Sequence, residues 1–348
     1  MPAVRLWWRL RTRKTKARIL FYSGLVLVVT GFLVYTLAMP GKSYRGPFRE
    51  LDASGQRRAL DLKSDVMALV GTAQQRSQRV AGSLDHSVAL IEEAFVQAGH
   101  STVRLPYDSD GAKVVNLEAK IEGRSKPSEI VVVGAHYDTA ATGGDRAPGA
   151  DDNASGVAAM LAIARALSPS ESAFARTIRF VAFVNEEPPY FWNAEMGSLV
   201  YAKACKARGD DVVAMLSLET LGFYRDEPGS QKYPPVVGWF FPDKGDFVAF
   251  VGNTSSRSLV RSSIATFRGA VAFPSEGAAM PGFVTGVGWS DQWSFWQVGY
   301  PGVMVTDTAP FRNPHYHRKT DGPETLDYGR LSRVVEGLTA VVKKLASD

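Results

Sequence analysis

Residues 130–139 read IVVVGAHYDT. Four branched apolar residues in a row, with no polar alternation, form the pattern of a strand buried on both faces rather than of a half-exposed one. The run closes on Gly134, and His136 and Asp138 follow at once. Two other stretches repeat this arrangement. Residues 177–187, TIRFVAFVNEE, end in the pair Glu186-Glu187, and residues 213–219, VAMLSLE, end in Glu219. Apolar strands that each finish in a titratable residue predict a sheet with chemistry gathered at one edge.

The rest of the chain supplies the layers around such a sheet. Strands are expected at 113–121, 247–251 and 302–305. Helices are expected within 57–80, and at 84–98, 155–167, 196–206, 256–267 and 331–345, where apolar residues recur at helical spacing. Alternating strands and helices predict an α/β sandwich, in which sites lie at the carboxyl ends of strands. Segments 225–245 and 273–288 are rich in Gly, Pro and aromatic residues, lack periodicity, and read as long loops of the kind that form pocket walls.

Residues 19–39, ILFYSGLVLVVTGFLVYTLAM, carry no charge. At a rise of about 1.5 Å per residue they span about 30 Å, the thickness of the hydrocarbon core. Seven basic residues and no acid precede them, from Arg5 to Arg18. The expected organisation is a basic cytoplasmic tail (1–18), a transmembrane signal anchor (19–39), a linker (40–55) and one catalytic domain (56–348). By the positive-inside rule that domain is periplasmic or extracellular, with the chain in the cell (inner) membrane. Trp7 and Trp8 suit the cytoplasmic headgroup region.

The net charge of +5 invites a nucleic-acid reading. Without the seven basic residues before Ile19, 33 Lys+Arg face 35 Asp+Glu, a net of −2. The basicity belongs to the anchor, and a nucleic-acid partner is excluded. Cys205 is the single cysteine, so no intrachain disulfide forms.

A hydrolytic metal centre needs ligands, an open position for water and a base. His136 offers an imidazole nitrogen, and Asp138 is spaced to orient the ring through the other. In GADDNASG (149–156), Asp151, Asp152 and Asn153 compete for the helix cap, which leaves a carboxylate free to bridge two ions. Adjacent Glu186 and Glu187 at a buried edge call for a compensating cation, one as ligand and the other as general base. Glu219 ends its strand, and in PHYHRKTD (314–321) His317 is favoured over His315, with Asp321 four residues on to support it.

These segments, together with SDQWSF (290–295), resemble the co-catalytic di-zinc aminopeptidase family that also includes the glutaminyl cyclases, over residues 60–345. The resemblance implies a three-layer α/β/α sandwich around a mixed, mostly parallel sheet of about eight strands. It implies two zinc ions bridged by Asp152, with His136 and Glu219 on one and Glu187 and His317 on the other. Glu186 is then the catalytic base and Asp138 the orienter of His136. Three departures stand out: Glu219 where many members have Asp, PPYFWNAEMGS (188–198) after the glutamate pair, and Gln292 where His is common.

The expected function is a membrane-anchored, zinc-dependent aminopeptidase acting on peptides with a free N-terminus. Asp291, Tyr190, Trp289 and Trp293 are the candidate substrate contacts. A glutaminyl cyclase on the same scaffold is the nearest alternative. A carboxypeptidase would need a cationic anchor such as Arg312, and a receptor domain would have no need of ligands or base.

Overall fold

The computed structural model describes residues 2–72, 75–142, 145–168 and 173–348, with the backbone alone at 2–14, 72, 141–142 and 145–146. The contacts expected of Trp7 and Trp8, and the basic side chains up to Lys14, lie outside the described side chains. The chain divides into two compact units, 1–38 and 39–348.

The first unit is helix α1 (Pro2–Leu37). Its segment Thr15–Leu37 has a mean hydropathy of 2.0 and is long enough to cross a membrane. Phe21, Leu27 and Val28 are exposed along it, as lipid-facing side chains would be.

The second unit is built on an eight-stranded sheet ordered β1-β2-β6-β3-β7-β10-β8-β9. Its strands are β1 (Ser101–Ser109), β2 (Ala112–Ile121), β3 (Lys126–His136), β6 (Arg176–Phe183), β7 (Asp211–Glu219), β8 (Val248–Gly252), β9 (Ser275–Ala279) and β10 (Gly302–Thr306). Short β4 (Ala141–Thr142) and β5 (Asp145–Arg146) make a separate ladder. The central four, β6, β3, β7 and β10, run parallel. β1 and β2 extend one side antiparallel, and β8 pairs antiparallel to β10 before β9 adds in parallel. Four of the seven pairings are therefore parallel, and the sheet is mixed.

Continuous apolar strands are explained by two cores. On β3, Val131, Val133 and Ala135 face one core, while Ile130 and Val132 face the other. The first core holds α2 (Ala53–Thr72), α3 (Ser83–Gln97), α4 (Gly156–Ala166), α6 (Arg257–Ala270) and α9 (Tyr328–Ser347). The second holds α5 (Gly197–Arg208) and α7 (Gln292–Gln297), and a single turn, α8 (Ala309–Arg312), follows β10. Three layers result, α/β/α, because each strand face must be covered.

Three elements differ from expectation. The helix sought within 57–80 begins earlier, at Ala53, and ends at Thr72. Segment 273–288 is only partly loop, since Ser275–Ala279 forms the edge strand β9. Segment 40–55, expected as a linker, belongs to the second unit and is packed within it: Phe48 stacks on Phe273 at 5.5 Å, and the Arg268 guanidinium donates to Pro40 O at 2.9 Å.

Candidate metal centre

His136 is the last residue of β3 and Glu219 the last of β7. Glu186 and Glu187 occupy the turn after β6, Asp152 the turn that opens α4, and His317 the loop after α8. Parallel neighbours end at the same edge, so these five positions and Glu186 converge. The chain turns sharply to present them. Asn185, Thr220 and His317 have φ of 58°, 46° and 57°, a region that non-glycine residues occupy where surrounding structure enforces it.

The two carboxylate oxygens of Asp152 face different imidazoles. Oδ1 lies 3.4 Å from His136 Nε2, and Oδ2 lies 3.0 Å from His317 Nε2. Glu219 Oε2 is 3.3 Å from the same His136 nitrogen, and Glu187 Oε2 is 3.3 Å from that of His317. Two potential ligand sets follow, His136–Asp152–Glu219 and Asp152–Glu187–His317, each with donor atoms within 4.8 Å of one another and sharing Asp152. His136 Nε2, His317 Nε2, Asp152 Oδ2 and Glu187 Oε1 are buried with no hydrogen-bond partner. Buried polar atoms are normally satisfied. Four orphans aimed at two shared points are what zinc, an acceptor of imidazole and carboxylate, would complete. Glu186 stands just outside, its Oε2 3.9 Å from His136 Nε2.

Second carboxylates hold the ligand-bearing turns by their backbones. Asp138 accepts the N–H groups of Glu186 and Glu187, each at 3.1 Å. Its relation to His136 is looser, with Nδ1 at 3.5 Å from Oδ1 and 3.2 Å from the Asp138 carbonyl. Asp321 accepts the N–H groups of Asp151 (3.0 Å) and Asp152 (3.1 Å), so it braces the Asp152 turn rather than His317. Asp151 is spent on Gly222 N–H and Asn313, and Asn153 accepts the N–H of Gly156, the first residue of α4. Asp152 is thereby left to face the imidazoles. Ser290 donates to Glu219 Oε2 at 2.6 Å. The fully buried Arg76 donates to the carbonyls of Tyr137, Pro148 and Gly149 at 2.7–2.8 Å, tying the loop after His136 to the loop before Asp152. Neither Arg76 nor Ser290 was singled out by spacing, since each acts through contacts distant in sequence.

The electrostatics are those of too many acids in one place. Burial, reinforced by Asp152, pushes Glu187 up to about 8, although His317 and His136 pull it down. Burial also drives Glu186 well above the carboxylate range, with Glu219 and Glu187 adding to it and His136 opposing. For His317, desolvation is outweighed by Asp152 and Glu187, which lift it to about 11. Burial lifts Asp291 to about 7. Six buried carboxylates (Asp138, Asp152, Glu186, Glu187, Glu219, Asp291) surround two imidazoles. A cation relieves such a cluster.

A cavity of about 100 Å³ opens beside Glu219 and Tyr316. Trp289 lines it, stacked on Phe311 at 6.2 Å. Tyr190, Trp293 and Asp291 are not in this lining. Tyr190 hydrogen-bonds Gln78 and Asp110, Trp293 stacks on Trp192 at 5.7 Å, and Asp291 is fully buried. Gln292 is buried and donates to Val287 O. Arg312 is buried and committed to Gln231 and Phe247 O, so it is no open anchor for a substrate carboxylate. Tyr316, which spacing did not single out, sits in the cavity wall and stacks on His317 at 3.9 Å.

Comparison with known proteins shows the family and the fold. An Escherichia coli protein, "Uncharacterized protein YfbL", is 35% identical over 286 residues, 81% of this chain and 86% of the relative. A "Probable leucine aminopeptidase 1" of Trichophyton verrucosum is 30% identical over 262 residues, 68% of this chain and 61% of its own length. Among solved structures, Porphyromonas gingivalis glutaminyl cyclase superposes with a TM-score of 0.62 at 18% identity, covering 82% of this chain and 98% of that one, which shows the shared fold. The family model described as "Peptidase family M28" matches residues 116–342, and the chain belongs to that family.

Proposed function

We propose that this protein is a membrane-anchored, two-zinc aminopeptidase that removes N-terminal residues from peptides outside the cytoplasm. The observation that carries the reading is Asp152, whose two oxygens face two imidazoles, each accompanied by its own glutamate. His136, Asp152 and Glu219 would hold one ion, and Asp152, Glu187 and His317 the other. Zinc, when bound, supplies Lewis-acid polarisation of a carbonyl and lowers the pKa of a coordinated water.

The chain's own groups do the remaining work. Glu186 is buried beside the ligand set without belonging to either trio, and it takes the proton of the attacking water and returns it to the leaving amine. Asp138 fixes Glu186 and Glu187 through their backbones and keeps His136 turned toward the site. The surplus of carboxylates favours a substrate with a free, positively charged α-amino group. The Trichophyton relative named as a leucine aminopeptidase supports hydrolysis over cyclisation. The uncharged segment 19–39 and the basic residues before it support an uncleaved anchor with the catalytic unit on the far side of the membrane.

The test is the full-length chain in detergent, supplied with zinc and assayed on aminoacyl anilides beside an N-terminal glutaminyl peptide. Release of free amino acids is expected, and Glu186→Gln should lower turnover by about 10²–10⁴-fold. Cyclisation of the glutaminyl peptide without amino-acid release would replace this reading with the cyclase one.

A further inference from the structure

One row of residues crosses the sheet from the metal centre into the cavity. Glu219 on β7 is paired with Thr306 on β10, Thr306 with Ala249 on β8, and Ala249 with Glu276 on β9. Residues in register on neighbouring strands point to the same face. All four line the cavity. Three strand steps place the Cα of Glu276 about 14 Å from that of Glu219. Between them stand a threonine and an alanine, which leave the floor open because neither side chain reaches across it.

The walls over this floor are apolar, among them Phe241, Phe247 and Phe311. Glu219 and Glu276 are the two charged residues of the lining, and Glu219 is engaged with His136 and Ser290. Glu276 is half-buried and has no ion pair within 4.0 Å among the described residues. The guanidinium of Arg268, on the neighbouring helix, is committed to Ser275 and to Pro40 O. Burial pushes the Glu276 carboxyl above its ordinary range, and Arg268, the Ser43 hydroxyl and Arg45 offset only part of that.

We propose that Glu276 is a specificity-determining residue, selecting peptides whose N-terminal residue is lysine or arginine. This rests on the aminopeptidase reading above. With the scissile carbonyl at the zinc ligands, the N-terminal side chain enters the cavity beside Glu219 and runs over Thr306 and Ala249. Lysine carries its charge at the end of a four-carbon stem, and arginine has an apolar stem of similar reach. The stem meets the aromatic walls and the cation meets Glu276. A leucine side chain would fill part of the same space and leave Glu276 further desolvated without a cationic partner, which disfavours it.

The experiment compares kcat/KM for lysyl, arginyl and leucyl anilides in the full-length, zinc-loaded protein and in Glu276→Gln and Glu276→Lys. Binding of lysine amide and leucine amide by calorimetry, with each Glu276 variant placed in the Glu186→Gln background so that neither amide is turned over, gives a readout independent of turnover. The expected result is a wild-type preference for the basic substrates. That preference should fall on the order of tenfold or more in Glu276→Gln and further in Glu276→Lys, with lysine amide binding weakened in parallel. A basic-to-leucyl ratio unmoved by both variants, in an enzyme that does release amino acids, overturns the role of Glu276 and leaves the aminopeptidase reading standing. Release of no amino acid from any of the three by the wild type overturns that reading and this proposal together.

Discussion

Asp321 accepts the backbone N–H of Asp152 at 3.1 Å while its other oxygen accepts that of Asp151 at 3.0 Å. Asp138 does the same for Glu186 and Glu187 across the site. Each acid grips two consecutive amides of a turn that carries a candidate ligand, so the ligand carboxylates are aimed by their main chain.

Replacement of Asp321 by Asn leaves one acceptor oxygen for two amides. Zinc affinity should fall about 10- to 100-fold, as for other groups that orient metal ligands. Competition against a chromogenic chelator measures this directly. Unchanged affinity in Asp321→Asn would show that the brace does not govern the site.

Arg76 is buried and bridges two loops through three carbonyls. Arg76→Ala strands those acceptors and removes a cation from beneath the acidic cluster, at a cost of roughly 3 kcal/mol or more. Denaturant unfolding of the full-length protein should show a lower midpoint. A midpoint within error of the wild type contradicts the assignment.

Cys205 lies against the sheet, and its thiol is pushed up to about 11, chiefly by burial. An unfolded thiol ionises near its ordinary value of about 9. The folded state therefore holds the proton more tightly, and its advantage is present below about pH 9 and lost as pH rises toward 11. The fall in stability across pH 9–11 should be shallower in Cys205→Ala than in the wild type. The native thiol should also react slowly with maleimide at pH 7 and quickly once unfolded.

Gly156 shows how tightly the Asp152 turn is fitted. A Cβ there would stand 2.3 Å from Asn153 Oδ1 and 2.4 Å from Leu218 O. Asn153 itself joins this turn to the end of β7 by donating to Leu218 O and accepting Thr220 N–H. Gly156→Ala should displace both and lower thermal stability by several degrees, which calorimetry would detect. An unaltered Tm would mean that the turn has room to adjust.

Much of this was legible in the sequence for a definite reason. Strands β3, β6 and β7 are covered on both faces, so their later residues are predominantly apolar, and the titratable residues that close or follow each run mark the working edge of the sheet. Strand β9 was not legible. Although four of its five residues are buried, the run SEGAA is small apart from Glu276 and holds no β-branched or aromatic residue to signal a strand. β1 is likewise an edge strand with mostly exposed or half-exposed side chains, and no strand was expected at 101–109. Spacing also misdirected the reading of Asp321. Four residues from His317 suggested a partner in sequence, whereas its two acceptors are taken by amides some 170 residues away. Hydrogen bonds to backbone carry no side-chain signature, and the role of Arg76 was hidden for the same reason.

The central claim is that Asp152 joins two metal sites into one hydrolytic centre, and counting zinc tests it most directly. The full-length protein, equilibrated with zinc and freed of excess, should hold two ions per chain by atomic emission, and fewer in Asp152→Asn and in Glu219→Gln. One ion per chain in the wild type, with amino-acid release intact, would contradict the two-ion account.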